Sequence, residues 1–253
     1  MRDLDGKVVF LTGAGRGVGV GIAMALAKSG ANIGLFGRTQ KTLEETAAKV
    51  GALGSRTLVC TGDVGNRSDV NRAVKAVEDK LGPVWALVNN AYSAERTQVE
   101  DITEKLLDEA LRACVYGALY TMQACFPTMK SHGGRIINFG SGGATMGLPE
   151  LGAYNIAKEG IRGLTKTAAM GWGRYGITVN TICPLASSDA YESWLGTLSE
   201  EKRRQHLEGI PLRRLGDPET DIGPLVVFLA GPGGAFITSR TFHVDGGNCY
   251  YDR

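Results

Sequence analysis

Lys7-Val8-Val9-Phe10-Leu11-Thr12-Gly13-Ala14-Gly15-Arg16-Gly17-Val18-Gly19 decides the fold of this 253-residue chain. A short apolar run with β-branched residues passes directly into a turn of alternating glycines, and apolar residues at helical spacing follow from Val18 to Ser29. Glycines let a backbone approach a bound anion closely. A helix starting directly behind them offers free N–H groups and the positive end of its dipole. Strand, glycine turn and helix in that order suit a dinucleotide pyrophosphate. The strict GxGxxG spacing does not occur; Gly13, Gly17 and Gly19 match GxxxGxG, and a turn of this kind also fits a purely structural role.

Further along, apolar runs recur at Ala31 to Phe36, Thr57 to Cys60, Trp85 to Asn89, Arg135 to Phe139, Ile177 to Ile182 and Thr241 to Val244. Helical patterns separate them at Thr42 to Leu53, Ser68 to Leu81 and Thr103 to Met129, the last with Leu107, Leu111, Cys114, Val115, Ala118, Met122, Cys125, Phe126 and Met129 on one stripe. Strands alternating with helices imply crossover connections and a parallel sheet. The reading is an α/β fold, a doubly wound, seven-stranded parallel Rossmann-type sheet, in a single domain over residues 1–253. Its ligands are expected beyond the carboxyl ends of the strands, at the switch point. One region, 185–212, is irregular and reads as a mobile substrate lid inserted in that domain.

Charge is nearly balanced, 28 Lys and Arg against 26 Asp and Glu, and no basic run stands out. Neither nucleic acid nor an anionic membrane is called for. The longest strongly apolar run, Leu225 to Ala230, is too short to span a bilayer, and Arg2, Asp3 and Asp5 open the chain in place of a signal peptide. A cytoplasmic location is expected. The five cysteines, Cys60, Cys114, Cys125, Cys183 and Cys249, show neither CxxC nor Cys/His ligand spacing. They read as reduced and mostly buried, and no metal is expected.

About twenty residues beyond the glycine turn, a fold preferring NAD places an acid for the ribose hydroxyl; here Gly37 is followed by Arg38. A carboxylate would repel a 2′-phosphate, whereas Arg38 and Arg16 offer it charge-assisted hydrogen bonds. NADP(H) is therefore the expected cofactor. Either arginine alone could equally be a solvated surface residue.

Tyr154 and Lys158 stand four apart, the spacing of neighbours on one helical face, with Ser141 thirteen residues upstream. An ordinary phenol titrates near 10, so phenolate chemistry near neutrality needs about 4 kcal/mol of help, and one cation about 4 Å away at an effective dielectric of about 20 supplies a comparable amount.

Taken together these residues resemble the short-chain dehydrogenase/reductase family along nearly the whole chain. The glycine loop is similar to TGxxxGxG, Asp63-Val64 to the pair that contacts adenine, and Asn89-Asn90-Ala91 to the NNAG strand end. Ser141, Tyr154 and Lys158 resemble the catalytic serine and YxxxK; Val179 to Pro184 resembles the strand and proline beside the nicotinamide. Val244-Asp245-Gly246-Gly247 resembles the closing strand. The resemblance implies that Gly13, Arg16, Gly17, Val18, Gly19, Arg38, Asp63, Val64, Asn90, Ala91, Tyr154, Lys158, Pro184 and Ser187 hold the cofactor. It further implies that Tyr154 is the general acid in carbonyl reduction and the base in alcohol oxidation. Lys158 lowers its pKa and holds the ribose, and Ser141 hydrogen-bonds the carbonyl oxygen.

Four positions depart from the family pattern. Cys114 stands where a catalytic asparagine is usual, Tyr92 replaces the glycine of NNAG, Leu185 the glycine after Pro184, and Asp189 a threonine that often contacts the carboxamide. Ser187 by its backbone or Ser188 by its side chain could substitute for that threonine. Tyr92, Met146, Leu148, Tyr191 and Trp194 would line an apolar pocket for an uncharged ketone or alcohol, or else pack the lid against the body. The resemblance implies a homotetramer or homodimer through the helices at Thr103 to Met129 and Ala153 to Arg174. A different class of function, a non-catalytic or weakly active NADP(H)-binding regulator or scaffold, is motivated by Cys114 and the altered segment after Pro184. Enoyl reduction fits less well, since family members that perform it typically space tyrosine and lysine more widely.

Overall fold

The computed structural model describes residues 3–93 and 95–249. Seven parallel strands form one sheet in the order β3-β2-β1-β4-β5-β6-β7. They are β1 (Val8–Thr12), β2 (Asn32–Gly37), β3 (Thr57–Thr61), β4 (Val84–Asn89), β5 (Gly134–Phe139), β6 (Ile177–Pro184) and β7 (Thr241–Val244). The order reverses between β1 and β4, so the crevice at the carboxyl ends opens beside the glycine turn. This is the Rossmann-like single-domain sheet expected from the alternation.

Both faces are covered, which is why the strands read as nearly unbroken apolar runs. Val9, Leu11, Ile33 and Leu35 point to one face, packing with Ile22 and Leu26 of α1 (Val18–Lys28), Leu43 and Val50 of α2 (Gln40–Gly51), and Val226 and Leu229 of α10 (Gly223–Ala230). Val8, Phe10, Leu87, Ile136 and Val179 point to the other, against Val70, Val74 and Val77 of α3 (Arg67–Leu81) and Met122, Cys125 and Met129 of α5 (Gly117–His132). A smaller cluster joins Ala110 of α4 (Glu104–Leu111) and Cys114 to Ala153, Ala157 and Ile161 of α7 (Gly152–Trp172). All five cysteines are free; Cys114, Cys125 and Cys183 are buried. Among the described residues no helix is long and apolar enough to cross a membrane.

Two elements differ from expectation. The stripe at Thr103 to Met129 is not one uniform helix: α4 and α5 are joined by a π-helical turn, Arg112–Tyr116. That wider turn keeps Cys114 buried, and Gly117 directly after it lies so close to Val64 that a Cβ there would come within 2.9 Å. Nor is 185–212 irregular. It contains α8 (Asp189–Gly196) and α9 (Glu200–Glu208), whose first turns are capped by the hydroxyls of Ser188 and Ser199, accepting from Tyr191 N and Lys202 N. Those caps supply acceptors that a helix start otherwise lacks, and so let short helices form in a charged stretch. The short helix α6 (Gly142–Met146) sits between β5 and α7.

Candidate active site

The glycine turn is shaped by steric necessity. Gly13 and Gly17 have φ of 65° and 53°, in the left-handed region that disfavours side chains, and a Cβ on Gly13 would lie 2.8 Å from Asn90 Nδ2. Asn90 donates this amide to the carbonyls of Thr12 (3.2 Å) and Gly13 (3.1 Å). Thr12 Oγ1 accepts from the backbone N–H groups of Asn90 and Ala91, each at 3.1 Å. Asn90 is thus a brace that fixes the turn from the neighbouring strand. At the start of α1 no side chain caps the first N–H groups, which leaves them for an anion, and Arg16 and Arg38 flank the crevice as exposed side chains. Asp63 spends one carboxylate oxygen on Gly65 N (2.8 Å), and Val64 is buried beside it. Uncapped amides and a close backbone together fit the pyrophosphate of a nicotinamide dinucleotide.

Ser141, Tyr154 and Lys158 come from different elements. Ser141 follows β5 and caps α6, accepting weakly from Ala144 N at 3.4 Å, which leaves its proton to donate. Tyr154 and Lys158 lie in the first turns of α7. Lys158 is almost fully buried, and its Nζ donates to the Phe139 carbonyl at the end of β5 at 2.7 Å. A buried ammonium needs a strong acceptor, and this carbonyl provides one. The same Nζ lies 5.6 Å from the ring centre of Tyr154 and 5.3 Å from that of Tyr92. Burial pushes the Tyr154 phenol up to about 12, opposed by the Ser141 hydrogen bond. The expected depression by Lys158 does not appear: Ser141 alone works against burial, while the Lys158 ammonium is directed to the Phe139 carbonyl, and Tyr154 is a neutral phenol with a proton to give.

Tyr92 stands edge-on to Tyr154, ring centres 5.8 Å apart. Cys114 is buried on the π turn. Leu148, after the serine loop, lies near Gly143, where a Cβ would come 3.2 Å from its Cδ1, and Met146 ends α6. Tyr191 and Trp194 are occupied with other groups: Tyr191 Oη is 2.6 Å from His206 Nε2, Trp194 crosses His206 at 5.0 Å, and Arg96 stacks on Trp194 at 4.7 Å. These contacts knit α8 to α9 and to the loop after β4. At Ser187 the N–H donates to Gly216 O at 2.9 Å and Oγ donates to Glu192 Oε1 at 2.8 Å. A β-bridge between Ala186 and Gly216 ties up this backbone. Pro184 ends β6, and the Asp189 side chain lies outside the described residues.

Sequence reasoning missed a buried polar chain beneath the site. Asn89, Asn138 and Thr181 stand side by side in the register of β4, β5 and β6. Asn89 Nδ2 donates to Asn138 Oδ1 (2.9 Å), Thr121 Oγ1 to Asn89 Oδ1 (2.7 Å), Asn138 Nδ2 to Thr165 Oγ1 (2.9 Å), and Thr181 Oγ1 to Thr165 Oγ1 (3.0 Å). The row pins α5 and α7 to the strand ends. Its signal was a polar residue near the carboxyl end of each of three largely apolar strands.

The sequence model of a family described as "Enoyl-(Acyl carrier protein) reductase" matches residues 13–248. The chain belongs to the short-chain dehydrogenase/reductase family and is an oxidoreductase of that family. It is 36% identical over 251 residues to a 12alpha-hydroxysteroid dehydrogenase of Clostridium sp., covering 96% of each chain. It is 34% identical over 248 residues to 2-(S)-hydroxypropyl-CoM dehydrogenase 3 of Xanthobacter autotrophicus, covering 96% of this chain and 97% of that one. Among solved structures, a short-chain dehydrogenase/reductase from Serratia marcescens superposes with a TM-score of 0.89 at 28% identity, covering 98% of this chain and 99% of the other.

Proposed function

We propose that this protein interconverts a carbonyl and a secondary alcohol with NADP(H), Tyr154 acting as general acid in reduction and as base in oxidation. The observation that carries the reading is the half-buried Tyr154, hydrogen-bonded to Ser141 and on the same face of α7 as the buried Lys158, at the carboxyl ends of the strands. When bound, the nicotinamide supplies or accepts the hydride. Ser141 Oγ–H donates to the substrate oxygen, and Tyr154 delivers its proton there as negative charge develops. Lys158, anchored on the Phe139 carbonyl, keeps a positive charge near that oxygen and stabilises the phenolate left behind. Gly13, Gly17, Val18 and Gly19 place the amides for the pyrophosphate; Asp63, Val64 and Ala91 border the adenine side, and Arg16 and Arg38 take the 2′-phosphate. Pro184 borders the nicotinamide.

Tyr92, Met146 and Leu148 give the substrate side an apolar, aromatic wall. An uncharged alicyclic or aromatic ketone suits it, in keeping with a relative named for a hydroxysteroid. Tyr154 to Lys158 spacing supports carbonyl rather than enoyl reduction, although the matching family model carries an enoyl reductase description. The test is a panel of ketones with NADPH and of secondary alcohols with NADP⁺, alongside dissociation constants for NADPH and NADH. Turnover of alicyclic ketones with tighter NADPH is the expected result. Equal affinity for NADH overturns the cofactor assignment; tight NADPH binding without turnover of any substrate overturns catalysis in favour of the scaffold reading that Cys114 motivates.

A further inference from the structure

Beside the catalytic crevice, at the end of the closing strand, His243, Asp245 and Cys249 form a second cluster that the hydride chemistry does not use. One ligand atom from each lies within 4.8 Å of the other two, and His243 Nδ1 is 3.9 Å from Asp245 Oδ2. Both imidazole nitrogens of His243 are shut off from solvent, with no hydrogen-bond partner among the described residues. A buried ring that can donate from one nitrogen and accept at the other rarely stays unsatisfied. The cluster is rigidly built from below. Asp245 carboxylate oxygens accept from Gly247 N (3.0 Å) and Cys249 N (2.7 Å), bending the chain so that Cys249 returns over His243, and lone pairs remain on each oxygen. Thr145 Oγ1 stands 3.7 Å from Cys249 Sγ, in position for a fourth, oxygen contact.

The geometry points to a zinc-class divalent cation held by His243, Asp245 and Cys249, fastening the end of the closing strand to the loop that presents Ser141. Imidazole, thiolate and carboxylate are the donor set that zinc accepts, and bond lengths of about 2.0–2.3 Å put tetrahedral ligands about 3.3–3.8 Å apart. Side-chain rotations of about 1 Å bring the observed spacing to that value. On ligation the Cys249 thiol releases its proton to solvent and the sulfur–metal bond forms; no oxidant or reductant takes part. The link to Ser141 is direct: a Cβ on Gly142 would lie 2.7 Å from Cys249 Sγ and 3.8 Å from His243 Nδ1, so the proposed ligands press on the residue next to the serine. The metal is structural and distinct from the proton-transfer residues.

Untagged protein, stripped with a chelator, is titrated with Co²⁺ and then Zn²⁺, and followed by absorption and calorimetry. The expected result is one equivalent of Co²⁺ with a sulfur-to-cobalt charge-transfer band and the strong visible bands of tetrahedral cobalt, displaced by Zn²⁺. In Cys249→Ser the charge-transfer band disappears, and in His243→Gln affinity falls by at least about tenfold. Unchanged far-UV dichroism and melting of the stripped variants establish that both fold. Absence of the band in the unmodified protein, or its persistence in Cys249→Ser, overturns the site. Both readouts are independent of turnover, so failure of the proposed oxidoreductase activity leaves this test intact.

Discussion

At Tyr154 two opposing effects meet, and their balance sets the direction in which the free protein is ready to act. Burial raises the phenol to about 12, while Ser141 works against it. Across the physiological range the proton is therefore in place for reduction. Oxidation requires the phenolate, so its kcat/KM rises with pH through the alkaline range, while that of reduction stays flat until the phenol begins to titrate. Tyr154→Phe removes the proposed general acid; turnover falls by about 10²–10⁴-fold, and NADPH affinity, measured by fluorescence titration, stays within a few-fold. Retained turnover in that variant removes Tyr154 from the chemistry. The residue identities were legible in the sequence, but their balance was not. Four-residue spacing places Lys158 beside Tyr154, yet it cannot show that the ammonium spends its shortest contact on the Phe139 carbonyl, or how far the phenol is desolvated.

Between elements, the row of Asn89, Asn138 and Thr181 acts as a polar seam in an apolar sheet. Asn138→Ala leaves Asn89 Nδ2 without its partner, at about 1–3 kcal/mol for a buried group, and leaves Thr165 Oγ1 with Thr181 alone. For a domain of this size each kcal/mol lowers Tm by about 2–4 °C, a fall read directly by calorimetry. Asn138→Asp would not restore it, because a carboxylate cannot donate to Thr165. A surface pair behaves oppositely with pH. Asp221, hydrogen-bonded by Arg214 and by Asp217 N, is held down at about 2, below its ordinary value. A depressed carboxylate stabilises the fold above its unfolded pKa of about 4 and loses that contribution as pH falls towards 2. Arg214→Gln should therefore melt slightly below the unmodified protein at neutral pH, and the two curves should converge in acid. Strands and long helices were legible because burial on both faces writes itself as apolar periodicity. α8 and α9 were not, since their starts depend on single serine hydroxyls and their surface is charged. Nor was the bridge that occupies Ser187 N, because it joins Ala186 to Gly216 across an intervening pair of helices.

Over the whole molecule, the outer faces of the long helices carry Tyr116, Ile156 and Met170, and Met170 is 82% exposed. These are the helices proposed to pair in a homotetramer or homodimer. A charge in a close apolar interface separates subunits, so Met170→Glu shifts the mass seen by light scattering towards monomer at low concentration, with the far-UV spectrum unchanged. An unshifted mass places the contact elsewhere. The same architecture also governs how the molecule assembles itself. Thr12 and Asn90 shape the glycine turn from partners 78 residues apart, and β1 and β4 become neighbours only after two intervening strands and their helices have been laid down elsewhere. Closing so long a loop is entropically costly, and contacts of this kind form late and slowly. The nucleotide cradle is thus among the last features a refolding chain completes. Recovery of cofactor binding should lag behind recovery of helical signal, which makes the ligand a reporter of finished topology rather than of secondary structure.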